Sequence, residues 1–160
     1  MQQPENSTSA VDEITAQKAL DLFLTPPRKP LSEREQVFLG QADIFAIPYN
    51  SIEMTASSWG KGPTVLLVHG WGGRGTQLGS FVEPLVASGY RVLAFDAPAH
   101  GQTAGSQSSG FEMTKAIKTI DTAEGPFAGI VAHSFGVTCT TIALDKGMET
   151  PKVLCLGSFC

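Results

Sequence analysis

A glycine-rich segment, LLVHGWGGRG at residues 66–75, follows an apolar run and has two possible chemical uses. Gly70, Gly72 and Gly75 fit the G-x-G-x-x-G fingerprint of dinucleotide-binding loops, and Asp96 lies 21 residues after Gly75, about where a ribose-binding acid would be. A loop of this kind also builds oxyanion holes, in which backbone N–H groups bind a negatively charged oxygen. The spacing by itself leaves both uses open.

A second segment, Ala132-His133-Ser134-Phe135-Gly136, has the form small-x-Ser-x-small and joins an apolar run to an apolar helical pattern. This is the context of a nucleophile elbow, a strand-to-helix turn whose strained dihedrals lift a serine hydroxyl above a sheet edge. The flanking residues must be small because neighbouring backbones pack closely, and alanine meets that need in part. The structural alternative is that Ser134 is simply a helix N-cap, a position that serine favours.

Together with a third segment, these patterns resemble the α/β-hydrolase family. HGWGGRG resembles its H-G-x-x-G oxyanion loop, DAPAHGQTAG its D-x-P-x-H-G-x-S/T segment and AHSFG its nucleophile elbow, in the family's order and over roughly residues 42–160. The resemblance implies that Ser134 attacks an ester, thioester or amide while the N–H groups of Trp71 and Phe135 bind the oxyanion. Dinucleotide binding is the weaker alternative, because it leaves the second and third segments unexplained.

We expect structural roles for the polar residues near these segments, because buried polar groups at strand ends usually form hydrogen bonds with the backbone. We expect His69 to orient the oxyanion loop and His100 to anchor its own turn. Asp96 is expected to cap the loop after its strand, and His133 to line the flank of the elbow.

Gly70 and Gly136 complete the supporting residues, as the small residues of the oxyanion loop and the elbow. No cofactor or metal is implied: the lysine position of a phosphate loop is Thr76, and no cysteine lies at metal-ligand spacing from a histidine. In the family, epoxide hydrolases and dehalogenases have aspartate at the elbow, so Ser134 argues against both.

The resemblance leaves the catalytic base unassigned. A nucleophilic serine needs a base and an acid that orients it, and in this family both follow the nucleophile along the chain. All three histidines lie at or before position 133. We therefore expect the front portion of a longer serine hydrolase, with little or no turnover by itself. A non-catalytic remnant that binds a ligand or partner is the alternative.

Composition favours a small uncharged or cationic substrate, and the resemblance implies that this small molecule carries an acyl group. The 160 residues suffice for one sizeable core, and a formal net charge of −4 gives no basic surface for nucleic acid or an anionic membrane. Cys139, Cys155 and Cys160 form no C-x-x-C pair, and the start of the chain is polar and acidic, unlike a secretory signal. We expect a cytoplasmic protein by default, and the oligomeric state is open.

The first elements along the chain are two short helices. Helical spacing over 10–24 ends before Pro26, and Ser32 with Glu35 has capping-box spacing. We predict that residues 1–40 form a helical, partly disordered extension and that residues 41–160 form a partial α/β-hydrolase domain.

Apolar strands then alternate with helices. A helix over 78–86 has capping-box spacing at Ser80 and Glu83, Ser109 opens another, and a third spans Ser134 to Lys146. The last apolar run, PKVLCLGSF, is predicted to be an exposed edge strand. This alternation predicts an open, mostly parallel α/β sheet with helices on both faces and ligand loops at the carboxyl ends of its strands.

Overall fold

A computed structural model describes residues 10–157; the expectations for residues 1–9 and for residues 158–160, including Cys160, lie outside the described residues. The strands are β1 (Asp43–Tyr49), β2 (Ile52–Trp59), β3 (Thr64–Val68), β4 (Arg91–Phe95), β5 (Gly129–His133) and β6 (Val153–Leu156). The helices are α1 (Ala10–Leu24), α2 (Glu33–Gly40), α3 (Val82–Ala87), α4 (Gly110–Glu124) and α5 (Phe135–Asp145), with a 3₁₀ helix at Gly75–Phe81. None of the described helices is long and apolar enough to cross a membrane.

The strands form one open sheet in the order β1-β2-β4-β3-β5-β6. β1 and β2 pair antiparallel, as do β2 and β4, whereas β3, β4, β5 and β6 run parallel to one another. The mostly parallel sheet is therefore confirmed, and β6 lies at its edge. Because β3 lies between β4 and β5, the loops that leave the carboxyl ends of these three strands are neighbours.

An apolar cluster lies on each face of the sheet, because successive side chains of a strand point to opposite faces. In β3, Leu66 and Val68 join the larger apolar cluster, and Val65 and Leu67 join the smaller one on the opposite face. Buried residues of α4 and α5 pack in the larger cluster, while the 3₁₀ helix and α3 supply Leu78 and Val82 to the smaller. The predicted arrangement of helices on both faces is confirmed.

Two of the three predicted helix caps are present. Ser32 and Glu35 form a reciprocal capping box at α2, and Ser109 Oγ accepts the Glu112 N–H at the start of α4. The capping box at Ser80 and Glu83 was a wrong prediction, because this segment is a 3₁₀ helix followed by α3, whose N-cap is Phe81.

Close packing and hydrogen bonding explain this difference. Gly75 approaches β4 so closely that an added Cβ would lie 2.8 Å from Ala94 Cβ, which fixes the tight turn at the start of the segment. The Ser80 hydroxyl accepts a hydrogen bond from Arg34 at 3.0 Å instead of capping a helix.

Truncation of one buried and one exposed residue of α4 tests which side chains belong to the core. Met113 is fully buried, whereas Phe111 is 83% exposed. We expect Met113→Ala to lower the free energy of unfolding by about 2–5 kcal/mol through lost apolar burial and the cavity left behind. Phe111→Ala, the matched exposed change, is expected to shift it by less than about 0.5 kcal/mol. Urea unfolding measures both, and equal effects would contradict the fold.

Candidate active site

Ser134 joins β5 to α5 in a strained turn. Its dihedrals are φ 51° and ψ −124°, and its N–H donates to Leu156 O of β6 at 2.8 Å. A non-glycine residue at positive φ costs about 1–3 kcal/mol and persists only where its surroundings enforce it. Although Ser134 precedes the first residue of α5, its side chain makes no capping hydrogen bond. The hydroxyl is thus not used as a helix cap.

The glycine-rich loop after β3 packs directly against this turn. A Cβ added at Gly70 would lie 3.0 Å from Ser134 Cβ, and one added at Gly136 would lie 2.9 Å from Val68 O and closer still to His69 O. Gly136 therefore requires glycine because the backbone after β3 lies against it, and a side chain at Gly70 would press on Ser134. The preceding small residue, Ala132, is fully buried in the core.

Two backbone N–H groups are available beside Ser134. The Gly73 N–H donates to Gly70 O at 3.0 Å, and this turn leaves the Trp71 N–H without an acceptor among residues 10–157. Phe135 is the first residue of α5, so its N–H is one of those that a helix leaves unpaired. The rings of Trp71 and Phe135 meet edge to face with centroids 5.7 Å apart. This contact brings the two loops together.

Asp96 connects the glycine loop to the loop after β4. Its Oδ1 accepts the Gly75 N–H at 2.9 Å, and its Oδ2 accepts the Gln102 N–H at 2.8 Å. Burial raises the pKa of Asp96, and the hydrogen bonds from Gln102 and Gly75 offset part of that rise. Each carboxylate oxygen holds a protein loop, which is not the arrangement of an acid that presents itself to a ribose.

His69 is fixed by hydrogen bonds at both ring nitrogens. Its Nε2 faces the Ala97 N–H at 3.0 Å and must accept from it, so Nδ1 carries the proton and donates to Gly70 O at 2.7 Å. Burial lowers the pKa of His69 to about 4, and the ring is neutral near pH 7. His69 thus links the glycine loop to the end of β4.

The other two histidines differ in environment. His100 Nδ1 lies 2.9 Å from Pro98 O, and its buried Nε2 has no partner among the described residues. Its ring lies against both Trp71 and His69, at 5.1 Å in each case, and burial lowers its pKa to about 4. The His133 side chain is exposed. Within residues 10–157, no hydrogen bond joins a histidine to the Ser134 hydroxyl.

A groove of about 630 Å³ opens beside Ser134. Trp71 and Phe135 line one side, and residues of the N-terminal segment, including Leu22 and Phe23, line another. These N-terminal residues were not predicted from the sequence, because they lie more than forty positions before Trp71 and no local pattern links them to it. The available signal was two adjacent large apolar residues, which a single helical stripe does not explain.

A sequence profile of the Alpha/beta hydrolase family matches residues 65–157, which is more than half of the chain. The chain belongs to this family. No curated protein matches it significantly.

Solved structures with the same fold include several hydrolases. A thioesterase domain from the curacin biosynthetic pathway is 25% identical with a TM-score of 0.64, and the match covers 70% of this chain and 43% of that one. An epoxide hydrolase from Vigna radiata is 23% identical with a TM-score of 0.66, over 74% of this chain and 41% of that one. A proline iminopeptidase-related protein from Thermus thermophilus is 22% identical with a TM-score of 0.61, over 74% and 45%.

The chain therefore spans less than half the length of each of these three proteins. The last two likenesses concern the fold alone.

The buried neutral histidines make stability depend on pH. The pKa of His69 and that of His100 are lowered to about 4 by burial, against about 6.5 in an unfolded chain. Between these values the unfolded state binds more protons, so the free energy of unfolding is expected to fall as pH falls from about 6.5 to about 4.

The matched variants His100→Gln and His133→Gln test this expectation by urea unfolding at several pH values between about 7 and about 5. His100→Gln is expected to reduce the pH slope by up to about one proton, because it removes a buried titrating ring. His133→Gln alters an exposed ring and is expected to keep the slope. Equal slopes in all three proteins would contradict the neutral burial of His100.

Proposed function

We propose that Ser134 is the nucleophile of a serine hydrolase that cleaves an ester, thioester or amide of a small-molecule substrate. The observation that carries this proposal is the strained Ser134 backbone at φ 51°, with a hydroxyl that caps nothing. Strain of this kind concentrates at functional sites. The unpaired Trp71 N–H and the Phe135 N–H support it as oxyanion donors.

The proposed reaction begins when Ser134 Oγ attacks the carbonyl carbon and loses its proton to a general base. The carbonyl oxygen becomes negative in the tetrahedral intermediate and accepts hydrogen bonds from the Trp71 and Phe135 N–H groups. The positive end of the α5 dipole adds to this stabilisation. The leaving alcohol, thiol or amine takes the proton from the base, and water then hydrolyses the acyl-enzyme.

We further propose that none of the three histidines in this sequence is the general base. His69 uses both ring nitrogens to hold loops, and no histidine among the described residues bonds to Ser134. The pKa of His100, lowered to about 4, makes that ring a weak base near pH 7. This chain by itself is then expected to turn over esters little or not at all.

Thioester cleavage is one member of the proposed substrate class, because one similar structure is a thioesterase domain. The alternative, a fold that binds a ligand without chemistry, is favoured by the missing contact between a histidine and Ser134. The two functions differ in whether the Ser134 hydroxyl reacts when a base is supplied.

Fluorophosphonate labelling with added imidazole tests the proposed nucleophile. Imidazole in the open groove would replace the missing base, so we expect the labelling rate of the 160-residue chain to rise at least about tenfold with imidazole. Intact mass and peptide mapping would place a single adduct on Ser134. Ser134→Ala is expected to lose it.

Ser109→Ala is the matched control, because Ser109 also borders the groove but has extended backbone and caps α4. It is expected to keep the adduct on Ser134. Labelling spread over several serines, or unchanged in Ser134→Ala, would reject the nucleophile and favour the non-catalytic alternative.

A further inference from the structure

Residues 21–28, which we call the N-terminal wall, present large apolar side chains to the groove beside Ser134. Leu22 is 78% exposed and Phe23 is 76% exposed, and both line this groove. Adjacent exposed apolar groups at a concave surface are typical of a binding site rather than of ordinary surface.

Hydrogen bonds hold the N-terminal wall to the segment that precedes α4. The Ser108 N–H donates to Leu24 O at 2.8 Å, and Gln107 Nε2 donates to Asp21 Oδ1 at 3.1 Å. On the other side, Pro27 packs against the glycine-rich loop, since a Cβ added at Gly72 would lie 2.7 Å from Pro27 Cγ. The wall therefore contacts the protein on both sides of the groove.

Arg28 adds a third attachment at the end of the wall. Its guanidinium donates to the carbonyl oxygens of Gly101, Thr103 and Gly105 at 2.9, 2.7 and 2.9 Å. The same loop contains Gln102, whose N–H is held by Asp96. The loop after β4 thus positions the wall. Asp96 joins that same loop to the glycine-rich loop.

The chemistry of the groove defines what it would bind. Trp71 and Phe135 face it from the site loops, and none of the described residues that line it is charged. A charged substrate group would lose its hydration there without an ionic partner. An aliphatic group would gain burial against four large apolar side chains.

We propose that the N-terminal wall determines substrate specificity, and that Leu22 and Phe23 select an uncharged, aliphatic group next to the scissile bond. This inference rests on the proposed function for the identity of the reacting bond, whereas binding of the aliphatic group needs only the groove. The wall is encoded before the residues that the family profile matches.

Straight-chain methyl ketones of increasing length are suitable probes, because they are uncharged and have a carbonyl but no leaving group. Saturable binding to the 160-residue chain is followed by isothermal titration and by Trp71 fluorescence. Trp59, the other tryptophan, is buried in the cluster on the opposite face of the sheet. We expect the dissociation constant to fall by roughly threefold to fourfold per added methylene until the groove is filled.

Matched variants locate the binding. Phe23→Ala and Leu22→Ala are each expected to weaken binding of the longest ketone by at least about fivefold and that of the shortest by much less. Phe111→Ala and Leu20→Ala are the controls, because these side chains are 83% and 49% exposed but do not line the groove. A dissociation constant that does not change with chain length of the ketone, or an equal loss of affinity in Phe111→Ala, would overturn the inference.

Two measurements together separate this inference from the proposed function. They are ketone titration of Ser134→Ala and fluorophosphonate labelling of the parent chain with added imidazole. If ketone binding keeps its dependence on chain length while fluorophosphonate fails to label Ser134 in the parent chain, the nucleophile is rejected and the selective wall is supported. If Ser134 is labelled but the dependence on chain length is absent, the wall is rejected and the nucleophile stands.

Discussion

The close approach of two backbones, one after β3 and one after β5, is the constraint on which the rest of the site depends. Ser134 remains at positive φ because its N–H is held by β6 and because Gly136 lies against Val68 O. A side chain at Gly136 would force the loops apart. Their separation would relax the turn and move the Trp71 and Phe135 N–H groups away from each other. The parallel sheet supplies the rigidity, since β3 and β5 are hydrogen-bonded neighbours.

Buried polar groups then fix the loops through hydrogen bonds to the backbone. The Asp96 carboxylate and the neutral His69 ring each bond backbone groups from two different loops. In a buried site such bonds are stronger than in water, and an unpaired donor would be costly. Among residues 10–157, this frame leaves the Trp71 N–H without an acceptor, as the proposed oxyanion role of that group requires.

Most of the correct predictions rest on patterns of residues that are close together in the sequence. Strand alternation, the glycine-rich loop and the small-x-Ser-x-small turn are encoded by neighbouring residues, so the sheet, its covered faces and the turn between β5 and α5 followed from sequence. The 3₁₀ helix at Gly75–Phe81 did not, because the approach of Gly75 to β4 is a tertiary contact. The N-terminal wall was missed for the same reason: Arg28 bonds carbonyls more than seventy positions away.

The most direct test of the central claim is a crystal structure of the chain after fluorophosphonate treatment in imidazole. We expect a phosphorus bonded to Ser134 Oγ, with one phosphoryl oxygen within about 2.7–3.1 Å of both the Trp71 and the Phe135 backbone nitrogens. Its alkyl group would lie in the groove against Phe23. An adduct on another residue, or a phosphoryl oxygen that faces solvent while both N–H groups stay unpaired, would contradict it.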